Sequence, residues 1–203
     1  MTSFDASSTV ILLSCTIKRA KTHSYTAATC GARFFYLSAV NVNDKTAPEP
    51  FCCITDAGNP SKGIVGAWYN AGAGPIRVLD AKTLVLPQFT FEGTKPPDGW
   101  IYAGRGKVDK DSGKKALVVG RDSSALHCPL REDWTGRQDL TVELGDGQTV
   151  YDINYLSVYC FAVGVNFGHV PVNLTPQRNP VPPSIPPVRD GPPPVSRPLR
   201  TSC

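Results

Sequence analysis

The sequence lacks the patterns that most catalytic chemistry requires. It has no Gly-x-Ser-x-Gly elbow and no His-Glu-x-x-His helix, so hydrolase chemistry has no candidate residues. Gly72-Ala-Gly74 and Gly104-Arg-Gly106 are too short, and have no helix after them, to cradle a phosphate. Histidine is scarce, with only His23, His127 and His169. His127 and Cys128 are chain neighbours and point to opposite faces of a strand, so they do not form one metal site. No Cys-x-x-Cys pair suggests zinc or a thioredoxin-like centre. Neither a metal nor a cofactor is expected. No apolar run reaches the roughly 20 residues that a membrane helix needs, and no window sustains a period of 3.6. Lys and Arg do not gather into a stripe with interleaved aromatics, which excludes a nucleic-acid surface. The tightest basic cluster, "DKDSGKK" at Asp109–Lys115, carries its own acids and reads as a solvated turn.

What the chain has in excess is cysteine and proline. Seven cysteines in 203 residues point to an oxidising compartment, extracellular or at the cell surface, and an odd number leaves one thiol over if the rest pair. Cys52 and Cys53 are adjacent. A disulfide between neighbours strains the bond geometry, so each is expected to find a different partner. The apolar run "STVILLSCTI", Ser8–Ile17, follows Asp5 instead of a basic region and is followed by further cations. It does not read as a signal peptide, which leaves an intracellular location open.

Residues 1–55 show no clear period; "GARFFYLSAVNVN", Gly31–Asn43, reads as one strand or a short buried segment. Over 56–172 the texture is short apolar runs cut by turn residues: "IVGAWY", "IRVLDAKTLVL", "PQFTFEGTKPPDG", "WIYAG", "ALVV", "DLTVEL". Asp80–Lys82 forms a hairpin tip between "IRVL" and "TLVL". This spacing predicts an all-β domain, an antiparallel sandwich or barrel, with Phe89, Phe91, Trp100, Leu140, Val142, Leu156 and Val158 in its core. Residues 173–203 are a Pro-rich tail, expected to be extended, polyproline-like and dispensable for folding. Its Pro183-x-x-Pro186 has Arg189 one place late for a peptide-recognition motif, so the tail reads as a spacer. "NLT", Asn173–Thr175, is an N-glycosylation acceptor if the chain is secreted.

One cysteine sits inside a strand-like run, "YDINYLSVYCFAV". Alternation places Leu156, Val158, Cys160 and Ala162 on a compact aliphatic face turned to the core. Tyr155, Ser157, Tyr159 and Phe161 fall on the other face, under a loop or half exposed. Cys160 is then a small apolar filler, half of a disulfide, or a reactive thiol. On residues alone the filler reading leads, because a thiol buried among apolar groups is inert. Reactivity requires an opening or a neighbouring cation, which His169 or Arg105 supplies if the fold brings it close. Cys128, the other cysteine well inside the expected domain, is the candidate partner thiol.

"TLVLPQFTFEGTKPPDGWIYAGRG", Thr83–Gly106, and "DLTVELGDGQTVYDINYLSVYCFAVGVNFGHVPV", Asp139–Val172, together resemble the DM-thirteen domain, the Skeletor-type domain often found beside DOMON domains. The resemblance implies an all-β extracellular domain in which the cysteine of "LSVYC", Cys160, passes electrons. The partners it implies are DOMON domains or b-type cytochrome membrane domains, and the targets are cell-surface or matrix molecules. The chain shows no DOMON segment, membrane span or haem site, so the electron donor comes from elsewhere. The competing reading is a structural or adhesive matrix or cuticle protein without redox activity. A third is an intracellular binding domain that has lost the redox role.

Overall fold

Alternating apolar residues bounded by Gly, Pro, Asp and Ser cannot bury a helical stripe but can bury one face of a strand. In the computed structural model, residues 9–11, 35–37, 48–123, 126–145, 147–184 and 203 are described. The described structure is all-β and forms two compact units, Met1–Ala47 and Pro48–Cys203. In the first, β1 (Thr9–Ile11) pairs antiparallel with β2 (Phe35–Leu37), Val10 opposite Tyr36.

The second unit opens with β3 (Phe51–Ile54), β4 (Val65–Gly66), β5 (Ile76–Val78), β6 (Thr83–Leu86), β7 (Thr90–Glu92) and β8 (Gly99–Gly104). It continues with β9 (Gly113–Lys115), β10 (Leu117–Val118), β11 (Asp133–Thr135), β12 (Leu140–Glu143), β13 (Tyr155–Cys160) and β14 (Val165–Pro171). One antiparallel sheet has the order β10-β12-β6-β5-β3, a second β4-β14-β13-β8-β9, and β7 and β11 form a short ribbon. Ile76, Val78, Leu84, Leu86, Leu140 and Val142 of the first sheet share one core with Ile101, Ala103, Leu156, Val158 and Val170 of the second. This is sheet-on-sheet packing, the sandwich that the alternation predicts. The β5–β6 hairpin turns at Asp80, whose carboxylate accepts the backbone N–H groups of Lys82 and Thr83.

The structure departs from the expected layout in three places. Strand β3 lies ahead of residue 56, and within it Cys52 and Cys53 are bonded to each other instead of to separate partners. The peptide between them is cis. Trp100 is buried, but it faces away from the inter-sheet core because Ile101 and Ala103 take the inward positions of β8. Residues 173–184 also do not behave as a detached spacer. Val181 is buried, the Tyr151 hydroxyl donates to the Asn179 carbonyl and accepts from Val181 N–H, and Ala81 N–H donates to the Pro182 carbonyl. The composition is poor in core residues, yet one valine and three hydrogen bonds to the backbone are enough to dock this stretch. Cys203 completes the attachment through a disulfide to Cys128.

Two further features position the face described next. A bulge between Val158 and Tyr159 leaves β14 one residue longer than its partner, so Val158 faces Gly168 while Tyr159 faces Asn166. The extra residue, Phe167, turns into the core. Beside it, β4 approaches β14 closely because both strands carry glycine there: a Cβ on Gly168 would lie 2.5 Å from the Gly66 Cα.

Candidate functional site

Cys160 ends β13, opposite Gly99 of β8 and Val165 of β14. It is the unpaired cysteine among the described residues and is fully buried; Cys15 and Cys30 lie outside those residues. Its side chain joins Leu156 and Val158 on the core face, as alternation predicts. The cross-strand partner has no side chain, and the Phe91 ring fills that space, since a Cβ on Gly99 would sit 2.8 Å from two of its carbons. Beyond Cys160 the chain enters an exposed turn at residues 161–164, closed by the Gly164 N–H donating to the Cys160 carbonyl at 2.9 Å. The thiol therefore lies at the end of a sheet, one residue from solvent-exposed backbone, beneath aromatic and aliphatic cover.

None of the groups expected to assist this thiol stands beside it. Cys128 is bonded to Cys203, so it is not a partner for Cys160. Arg105 follows β8 at the opposite end of β13. Its guanidinium donates to the carbonyls of Asp152 at 2.9 Å and Tyr151 at 2.8 Å. Five residues of strand, about 17 Å at about 3.4 Å per residue, separate Cys160 from Tyr155, the residue opposite Gly104. His169 pairs with Ser157 and lies on the outer face, whereas Cys160 points inward. Asn173 is exposed, as a glycosylation acceptor must be.

The outer face of the same sheet holds most of the polar chemistry. Tyr102, Tyr155 and Tyr159 form a buried stack with centroids 5.0 Å apart for Tyr102–Tyr159 and 6.3 Å for Tyr102–Tyr155, roofed by Val108 of the loop between β8 and β9. The Tyr102 hydroxyl reaches the carbonyls of Lys110 and Gly113, and the hydroxyls of Tyr155 and Ser112 lie 2.6 Å apart. Burial pushes all three phenols above their ordinary range, so they stay protonated. At the lower end of this face Lys115 Nζ lies 3.7 Å from the Trp100 ring centroid and 4.5 Å from that of Phe161. Burial lowers this ammonium's pKa, with Asp98 opposing the shift. Trp100 in turn donates its indole N–H to Asp98.

At the upper end an open groove of about 410 Å³ is lined by Gly106, Lys107, Val108, Asn154, Tyr155, Asn166, His169 and Pro171. Its floor is a relay: Ser157, fully buried, donates to Asn166 Oδ1 at 2.9 Å, and Asn166 Nδ2 lies 3.0 Å from His169 Nδ1. Strict alternation puts residues three apart on opposite faces; the bulge puts Asn166 and His169 together. That is why sequence reasoning, which singled out His169 only as a possible neighbour of Cys160, did not bring Asn166 to it; Asn154 and Lys107 it did not single out. The signal for Asn166 was the Asn-Phe-Gly-His order around a bulge, which periodicity alone does not show.

The chain resembles known proteins over the sandwich. The family model described as "Electron transfer DM13" matches residues 67–172, more than half of the chain. Protein Skeletor, isoforms B/C, of Drosophila melanogaster is 30% identical over 148 residues, which cover 72% of this chain and 17% of that protein. Isoforms D/E match at 30% over 148 residues, covering 9% of their length. The chain thus spans less than a fifth of the curated relatives it matches. No solved structure matches it significantly. The matched segment runs from the turn after β4 through β14 and holds both Cys160 and the outer face. This chain belongs to the electron-transfer DM13 family.

Proposed function

We propose that the domain is an extracellular electron-transfer accessory in which Cys160 is the redox-active group, acting on cell-surface or matrix molecules together with a separate redox partner of the DOMON or b-type cytochrome kind. The observation that carries this reading is the placement of Cys160, an unpaired thiol at a sheet end under a short exposed turn, in a domain of an electron-transfer family. In one turnover the thiol gives one electron to an oxidised haem-type acceptor and its proton to solvent. The resulting sulfur radical is then reduced by one electron and one proton from a donor. Complete burial sets the condition for this chemistry: the turn at residues 161–164 must open, or the electron must cross that cover.

The full burial of Cys160 equally favours a second reading, a structural or adhesive matrix protein in which the cysteine fills space. Alkylation of the native chain across pH 6–9, followed by peptide mapping, separates them. Modification at Cys160 without denaturant, with loss of electron transfer to a haem-protein acceptor in Cys160→Ala, supports the redox role. Modification only in denaturant, with electron transfer unaltered by Cys160→Ala, leaves the structural reading.

A further inference from the structure

The orientation of the groove's polar groups can be read from backbone donors. A backbone N–H only donates, so Gly168 N–H, 3.1 Å from Asn166 Oδ1, fixes that atom as the amide oxygen. Asn166 therefore turns its NH₂ toward His169 Nδ1, which must accept and carry no hydrogen. The imidazole proton of neutral His169 then resides on Nε2, on the far side of the exposed ring, as a donor. Asn154 obeys the same logic. Gly106 N–H donates to its Oδ1 at 2.9 Å, leaving its NH₂ as the group offered outward. Lys107 adds an ammonium, and no acidic residue is among those lining the groove. Arg105 follows β8 but spends its guanidinium on two carbonyls.

We infer that this groove is a binding site for a carboxylate carried on a small, partly apolar molecule. Its side-chain NH groups at Asn154, His169 and Lys107 are all donors, the arrangement that an oxyanion satisfies and a neutral amide does not. One full positive charge matches one negative charge, and Val108, Pro171 and the Tyr155 ring give an apolar body somewhere to lie. The volume is in the range of small-ligand sites. The buried Ser157 has its place in this scheme: it holds Asn166, and through Asn166 the histidine tautomer. The site is separate from Cys160, whose side chain points into the core on the other face of the sheet.

The test is a titration of the ¹⁵N-labelled full chain with benzoate, with benzamide as the neutral isostere and inorganic sulfate as the ion without an apolar body. Long-range ¹⁵N spectra of His169 should show the Nε2–H tautomer. Benzoate should cause saturable shifts at the side-chain amides of Asn154 and Asn166, and benzamide should bind at least about tenfold more weakly. Lys107→Ala, a surface change, should weaken benzoate about tenfold, while Cys160→Ala should leave it unchanged. Equal binding of benzoate and benzamide, an Nδ1–H tautomer, or no saturable shift would overturn the assignment. Sulfate binding as tightly as benzoate would overturn it as well.

Discussion

Gly99 controls the space over Cys160. Any side chain at this position meets the Phe91 ring at under 3 Å, so Gly99→Ala must move a ring that is itself fully buried. Overpacking of this kind costs about 1–3 kcal/mol, and it should uncover the thiol: the expected outcome is a lower melting temperature together with faster alkylation of Cys160. Cys160→Ala removes only the sulfur and should cost about 1 kcal/mol in denaturant unfolding. At the same scale, His127 makes stability pH-dependent. Burial pushes its imidazole below the ordinary range, against the pull of the Ala116 carbonyl, 2.9 Å from Nε2, and the Asp122 carboxylate at 3.6 Å. The unfolded chain then binds the proton first, so stability is full above about pH 6.5 and falls as pH drops toward the lower folded value. His127→Gln should flatten that part of the melting-temperature profile; an unaltered profile would show that another group carries the dependence. The inward direction of Cys160 was legible in the residues, because Leu156, Val158 and Cys160 alternate regularly up to the strand end. The fate of Cys128 was not, since pairing depends on where Cys203 lands and no local pattern encodes that.

Between β10 and β11 the chain is held by charge instead of by a ladder. Arg121 contacts the Asp122 carboxylate at 2.8 Å, Glu132 at 3.0 Å and the carbonyls of Cys128 and Pro129. The Asp122 side chain is almost wholly buried and also accepts Val118 N–H at 2.9 Å. Burial opposes the charge on Arg121, but the two carboxylates overcome it and hold the guanidinium above its ordinary range. Arg121→Ala would leave a buried carboxylate uncompensated, at a cost of about 3–5 kcal/mol. Urea unfolding monitored by tryptophan fluorescence should show the loss. The β5–β6 hairpin could be read from its turn residues, as Asp80 shows, whereas "IVGAWY" holds only the two-residue β4. Alternation fails at β14, where one extra residue shifts it and brings Asn166 to the side of His169. A bulge is a property of the pairing of two strands, and a single strand's pattern cannot announce it.

For the whole molecule, the docked stretch after β14 extends the folded unit past the last strand. A chain cut at residue 172 loses the burial of Val181, the two hydrogen bonds to the Tyr151 hydroxyl and the Cys128–Cys203 disulfide across 75 residues. A disulfide closing such a loop contributes about 2–4 kcal/mol. The shortened form should therefore melt well below the full chain, and a chain with Cys203→Ser should fall between them. Equal melting temperatures would show that the stretch contributes nothing. Composition alone hid this docking, because a proline-rich segment reads as solvated and the few contacts that anchor it use backbone groups that any sequence carries.

The glycine seam between β4 and β14 also bears on how the molecule behaves in company. Without β4, the seven-residue strand β14 would present unpaired backbone groups along the sheet's margin, a template onto which another chain can add. A two-residue strand closes that template at its centre, at Gly168 and His169, and is itself too short to recruit a neighbour. Crowding the seam with Gly66→Val should lift β4 away and produce a chain that self-associates with rising concentration. Light scattering would detect this, and a variant that stays monomeric at high concentration would show that the margin is guarded by something else.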